Sequence, residues 1–97
     1  MSTPVHEIVI FGLKPGVDRA AFVAAIPESE AFLRRQEGFI SRTILPEVDG
    51  ARWVDLVLWE SAEAAHAAFE RFGQELGSCL FAQAIDDASV VALRARV

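Results

Sequence analysis

A short set of side chains in this sequence has the types and spacing to do chemistry. Arg42 and Asp55 sit in two apolar segments joined around Asp49-Gly50. A guanidinium beside a carboxylate can hold an anionic or enolate group of a ligand. It can also close into a salt bridge that fixes the fold, because a buried charge needs a partner. Trp53 and Trp59 flank Asp55 on the same segment and can stack a flat aromatic molecule, or serve as ordinary core and interface material. His6, oriented by Asp55, would be a general base able to take a proton from a phenol, provided both project from one face. His6 and Glu7 are neighbours on a strand, so their side chains diverge and cannot act as a direct pair. The candidate catalytic residues are therefore His6 and Asp55, and the candidate substrate-binding residues are Arg42, Trp53, Asp55 and Trp59.

Other reactive types carry less. His66 falls on the outer face of a helix with Glu63 and Glu70, where a solvated imidazole is expected. No H-x-H or H-E-x-x-H spacing supports a metal, and no cofactor is expected. Cys79 follows a Gly-Ser break where a short helix would begin, which can lower a thiol pKa. Its neighbours Leu80 and Phe81 are apolar, so burial is the expected state. A lone cysteine forms no internal disulfide. No glycine-rich phosphate loop and no basic patch is present. The chain has no Tyr and no Asn.

These residues need elements to hold them. Val5 to Leu13 is a dense run rich in β-branched residues and predicts a buried strand. Lys14-Pro15-Gly16 makes a turn, and Asp18 is placed to cap a helix from about Arg19 to Gln36. Phe22, Ala25, Ile26, Ser29 and Leu33 recur along it as one stripe. Pro27 predicts a kink or two shorter segments, because proline has no N–H and clashes with the preceding turn. Gly38 suits the stop. Phe39 to Glu47 and Ala51 to Trp59 form a hairpin across Asp49-Gly50. Ser61 caps a second helix over Ala62 to Leu76, with Ala65, Ala68, Phe69, Phe72 and Leu76 as its buried stripe. Ser78 to Ile85 adds a helical turn or two, and Ser89 to Val97 a last strand. The order β-α-β-β-α-β is that of a ferredoxin-like α+β domain, a four-stranded antiparallel sheet with both helices on one face.

The hairpin fixes a register. With Asp49 and Gly50 as loop, Pro46 opposes Trp53, Ile44 opposes Asp55, Arg42 opposes Val57 and Ile40 opposes Trp59. Side chains alternate along a strand, so these eight share one face, with Arg42 and Asp55 as diagonal neighbours. Phe39, Ser41, Thr43, Leu45, Val54, Leu56 and Leu58 share the other. The second set makes a smooth floor, and we expect the helices on it. The face with both tryptophans is then left for a second copy of the chain to cover.

Composition narrows the class. The chain has 97 residues, of which 53% are apolar, and a formal charge of −5. That fits one domain over residues 1–97, too apolar to be disordered. The acidic balance argues against nucleic acid as partner. No long apolar run predicts a membrane span and no secretory signal is visible, so a cytoplasmic protein is expected.

The stretches EIVIFGLKPGVD (Glu7 to Asp18), EGFISRTIL (Glu37 to Leu45) and WVDLVLWESAEAA (Trp53 to Ala65), with Trp59, Ser61 and Ala65 in the pattern W-x-S-x-x-x-A, resemble the dimeric α+β barrel superfamily. Within it the chain is most similar to proteins with an antibiotic-biosynthesis-monooxygenase-like domain. The resemblance implies a homodimer with two sheets packed face to face, and a pocket between sheet and helices or within the barrel. It also implies a choice of functions. One branch oxidises aromatic polyketides without a cofactor; others are lactone isomerases, dye-decolourising peroxidases or proteins of no assigned activity. Haem-degrading members use an Asn, a Trp and a His, and the absence of Asn here sets that chemistry aside. The expectation is a dimer binding a small apolar or aromatic molecule. A cofactor-free monooxygenase acting on phenols and a ligand-free structural or regulatory dimer are the alternatives.

Overall fold

A computed structural model describes residues 3–97. Its elements follow in the order β1 (Val5–Phe11), α1 (Arg19–Arg34), β2 (Phe39–Pro46), β3 (Trp53–Trp59), α2 (Ala62–Leu76), α3 (Leu80–Ala84), a 3-10 turn (Asp87–Ser89) and β4 (Val91–Arg96). The four strands form one antiparallel sheet in the order β2-β3-β1-β4. This is the expected ferredoxin-like arrangement.

The caps form where the sequence places them. Asp18 accepts the Ala21 N–H at 3.2 Å, and Ser61 accepts the Ala64 N–H at 3.1 Å. Pro27 does not divide α1, which runs unbroken over 16 residues. Pro27 and Val23, whose carbonyl loses its i+4 donor, are both exposed, so water can replace the missing bond. Gly38 has φ +85°, and a Cβ there would lie 2.6 Å from the Ala64 Cβ. Only glycine permits both that backbone conformation and that approach of the α1–β2 loop to α2.

The hairpin register holds from Arg42 to Pro46: Arg42 opposes Val57, Ile44 opposes Asp55 and Pro46 opposes Trp53. A bulge between Phe39 and Ser41 then brings Phe39, not Ile40, opposite Trp59. The inserted residue turns Phe39 toward the helices, where its ring meets the Trp59 indole edge-on at 5.8 Å.

The assignment of the two faces is reversed from the sequence expectation. The helices cover the tryptophan face. Trp59, Val57 and Val5 pack with Phe32, Leu33, Ala65 and Ala68 in one core cluster. Trp53 and Phe11 pack with Phe22, Ala25, Phe81 and Ala84 in a second. The reason is volume. The helices present alanines at Ala25, Ala65 and Ala68, and these shallow positions receive bulky sheet side chains. A floor of leucines and valines would leave gaps beneath them. The opposite face of the sheet carries His6, Ile8, Ile10, Ser41, Thr43, Leu45, Val54, Leu56, Leu58, Val91, Leu93 and Ala95 by strand alternation. No helix lies on it, and Leu45, Val91 and Leu93 are exposed.

α3 is tied to the end of β1. Lys14 N–H donates to the Ala84 carbonyl at 2.9 Å and Asp86 N–H to the Gly12 carbonyl at 3.0 Å. The half-buried Cys79 caps this short helix through Sγ, which accepts the Ala82 N–H at 3.5 Å. That anchorage holds Phe81 over the middle of the sheet, stacked on Phe22 at 5.2 Å.

Candidate functional site

The two core clusters do not meet everywhere. A cavity of about 430 Å³ opens between the sheet and the helices, lined from both. Its walls are mostly apolar: Val9, Phe11, Leu33, Val57, Ala68, Phe72, Phe81 and Ile85 among them. Exposed Phe69, Asp87 and Val90 mark its open side. The sequence stripe placed Phe69 in the core. It is instead 65% exposed, because Ala65 and Ala68 take the buried side of α2 and leave its ring at the lip.

Four polar side chains on the sheet face line the cavity: Glu7 from β1, Arg42 from β2, and Asp55 and Trp59 from β3. Arg42 is closed on all sides. Its Nε and Nη2 donate to the two carboxylate oxygens of Asp55 at 2.9 and 2.8 Å, and its Nη1 donates to Ser29 Oγ at 2.7 Å. The Ser29 hydroxyl in turn donates a hydrogen bond to the Ile26 carbonyl at 2.7 Å. The guanidinium also lies over the Phe81 ring, 5.3 Å from its centre. The Arg42 side chain is 2% exposed and that of Asp55 13%. This bidentate geometry is the strong form of a carboxylate pair.

Glu7 is held differently. Arg94 on β4 reaches it with both Nε and Nη2 at 3.2 Å, and both contacts fall on the same oxygen, Oε2. The Glu7 side chain is 16% exposed. Burial pushes its carboxyl above the usual range, against the lowering pull of Arg94; the Asp55 charge adds to the rise. The Trp59 indole N–H nearby also favours the ionised form of Glu7, although it makes no well-aligned hydrogen bond. Trp59 Nε1 is, among the described residues, the one buried side-chain polar atom without a partner.

The structure therefore gathers Arg42, Asp55 and Trp59 at one cavity, as the register implies. It does not bring the other candidates there. His6 opposes Leu58 and Ala95 and sits on the open face of the sheet, so the approach of His6 to Asp55 is corrected: the sheet stands between them. Trp53 is buried in the second core cluster, tilted on Phe22 at 5.1 Å with the Arg19 guanidinium 4.9 Å from its ring centre, and does not line the cavity. His66 stands on the surface with Nε2 2.9 Å from Glu70 Oε1. Among the described residues, no three His, Cys, Asp or Glu side chains group to hold a metal ion. Sequence reasoning missed Glu7 and Ser29 as site residues. The signal for Glu7 was present, since a lone acid in the run VHEIVIF shares its face with Val5, Val9 and Phe11. Ser29 was visible as the one polar member of an apolar helical stripe.

No protein-family model matches the chain, and no curated protein is similar to it in sequence. Solved structures do share its fold. SnoaB, a cofactor-independent oxygenase from Streptomyces nogalater, superposes with a TM-score of 0.71 at 21% identity, over 99% of this chain and 92% of that one. A candidate antibiotic biosynthesis monooxygenase from Nitrosomonas europaea gives 0.78 at 17% identity, over 100% and 92%. A conserved protein of unknown function from Bacteroides thetaiotaomicron gives 0.74 at 15% identity over the full length of both. The chain thus has the fold of the antibiotic-biosynthesis-monooxygenase-like proteins. A second SnoaB structure carries an Asn-to-Ala substitution, and the present chain contains no Asn.

Proposed function

We propose that this protein binds a small, flat, largely apolar molecule in the cavity between its sheet and helices, and that it works as a cytoplasmic homodimer. The observation that carries the ligand reading is the cavity itself. Its volume of about 430 Å³ lies within the ordinary range of small-molecule sites, and its wall is apolar and aromatic with a few convergent polar groups. A closed Arg42–Asp55 bridge alone would suit a purely structural dimer, but an interior filled by its own side chains is not what surrounds it. Binding of 1-ethylnaphthalene, followed by NMR shifts of the Val9, Val57 and Ala68 methyls, tests the reading. Ala68→Phe should fill the space and weaken that binding at least about tenfold, the scale of a blocked apolar contact. Undiminished binding in that variant overturns the assignment.

The homodimer is supported by the uncovered sheet face. Antiparallel sheets with one wet side normally alternate apolar and polar residues. Here Ile8, Ile10, Val54, Leu56, Leu58 and Leu93 face outward together, an apolar surface that soluble monomers rarely present. A second copy supplies an identical apolar sheet to pack against it, the face opposite to the one expected from sequence. Sedimentation at micromolar concentration should give twice the monomer mass; a persistent 10.6 kDa species would refute the assembly.

Cofactor-independent oxygenation is the second reading, favoured by the fold shared with SnoaB. On this chain Asp55 would stand at the cavity as the candidate base, without His6. Oxygen uptake with an anthrone-like phenol that is lost in Ala68→Phe would support it, and no uptake by the wild-type protein would remove it.

A further inference from the structure

The side-chain polar atoms of the cavity wall are not evenly divided between donors and acceptors. The possible donors are withdrawn. Arg42 is 2% exposed, with each of its three nitrogens already donating to Asp55 or Ser29. Trp59 is fully buried, Nε1 included. Ser29 is also fully buried, and its hydroxyl both accepts from Arg42 and donates to Ile26. Carboxylates are what a ligand would meet. Asp87 stands exposed at the open side. Glu7 offers more: Arg94 occupies only Oε2, and among the described residues Oε1 has no hydrogen-bond partner. Oε1 is also not one of the sealed unpartnered polar atoms, and Glu7 lines the cavity. The same cavity is lined by the rings of Phe69 and Phe72, and aromatic faces favour a cation.

We propose that the cavity selects ligands carrying a protonated amine on a flat apolar body, with Glu7 Oε1 as the seat of the ammonium group, and rejects carboxylates and other anions. The inference rests on the ligand-binding reading above and adds the charge of the ligand to it. An anion would bring like charge to Glu7 and Asp87 and find no open side-chain donor, which is how a site discriminates by repulsion as well as by fit. A cation supplies the partner that buried Glu7 lacks on one oxygen, and a charge-assisted hydrogen bond is about twice as strong as a neutral one.

Three near-isosteric probes test this: 1-naphthylmethylamine, 1-ethylnaphthalene and 1-naphthylacetate, titrated by calorimetry at neutral pH. The amine should bind at least about tenfold more tightly than the acid, the size of one charge-assisted hydrogen bond. The Glu7→Gln variant should bring the two within about threefold and leave the neutral probe nearly unchanged. Equal binding of amine and acid by the wild-type protein overturns the inference and leaves the ligand reading standing. A preference that survives in Glu7→Gln overturns the role of Glu7. Failure of all three probes overturns both readings. The wild-type comparison requires no variant, so a folding defect in Glu7→Gln would not shelter the proposal.

Discussion

The Arg42–Asp55 pair closes both oxygens of its carboxylate; the Glu7–Arg94 pair closes one. Both stand on the helix side of the same sheet and both touch the cavity, yet they meet different ends. Arg42 reaches inward from β2 to a serine on α1 and an aromatic ring on α3, so it joins three elements beneath the helices. Arg94 reaches from β4, which like β2 is an edge strand, but its side chain remains about one-third exposed. A sealed pair of complementary shape becomes scaffold. A pair with an exposed arginine and imperfect shape leaves a carboxylate oxygen over for something else. Charge alone does not distinguish the two; the number of oxygens left open does.

The largest effect should come from breaking the closed pair. Asp55→Ala leaves the Arg42 guanidinium buried with only Ser29 as polar partner. A stranded buried charge costs about 3–5 kcal/mol, which urea denaturation would register as a clear drop in midpoint. A loss below about 1 kcal/mol would put Arg42–Asp55 in the same class as surface pairs and erase the contrast.

The open pair should behave in the opposite sense. Burial holds the Glu7 carboxyl above its ordinary value of 4.5, so the folded protein keeps this proton at pH values where the unfolded chain has released it. Stability then falls as pH rises through the interval from 4.5 to the raised native value, because the folded state is the one binding more protons there. Glu7→Gln should lack this component, and its melting temperature at neutral pH should equal or exceed that of the wild type. In the same interval the wild-type affinity for 1-naphthylmethylamine should rise with pH as Glu7 ionises. The charged groups facing Glu7 are Arg94 and Asp55, with Arg42 and Asp87 on the same cavity wall. An affinity that is flat with pH would disconnect the amine from Glu7.

A third pair marks the lower limit of the comparison. Glu47 accepts two side-chain hydrogen bonds from Arg52 across the hairpin turn, at 3.0 and 2.8 Å, and these hold its carboxyl below the usual range. Whatever stability it contributes is present above that range and fades as pH falls. Because the pair is exposed, Glu47→Gln should shift the thermal midpoint least of the three variants. A shift as large as that of Asp55→Ala would show that closure, not burial, sets the scale.

Local chemistry made much of this fold legible in the sequence. Asp49-Gly50 was enough to align Arg42 with Val57 and Ile44 with Asp55, and that alignment alone makes Arg42 and Asp55 diagonal neighbours. Asp18 and Ser61 cap the helices they precede. Two features escaped. The bulge between Phe39 and Ser41 holds no glycine or proline of its own, and Gly38 before it reads as the helix stop, so the hairpin count gives Ile40 a partner that Phe39 takes. The choice of covered face depends on fitting helix volumes to sheet volumes across the layer, which periodicity does not weigh. The same gap explains the tryptophans. Trp53 meets Phe22 and disappears into the core cluster that holds Phe81, while Trp59 lies where α2 presents Ala65 and Ala68 and borders the cavity. His6 and Glu7 were correctly set on opposite faces, but which of them turned inward followed from that same unresolved choice.

The partnerless indole of Trp59 makes the protein its own indicator. A buried N–H beside the Glu7 carboxyl has a proton resonance and an emission maximum that respond to that carboxyl's charge. With Trp53 sealed elsewhere and only two indoles in the chain, the occupancy and ionisation of the cavity can be followed without attaching a label.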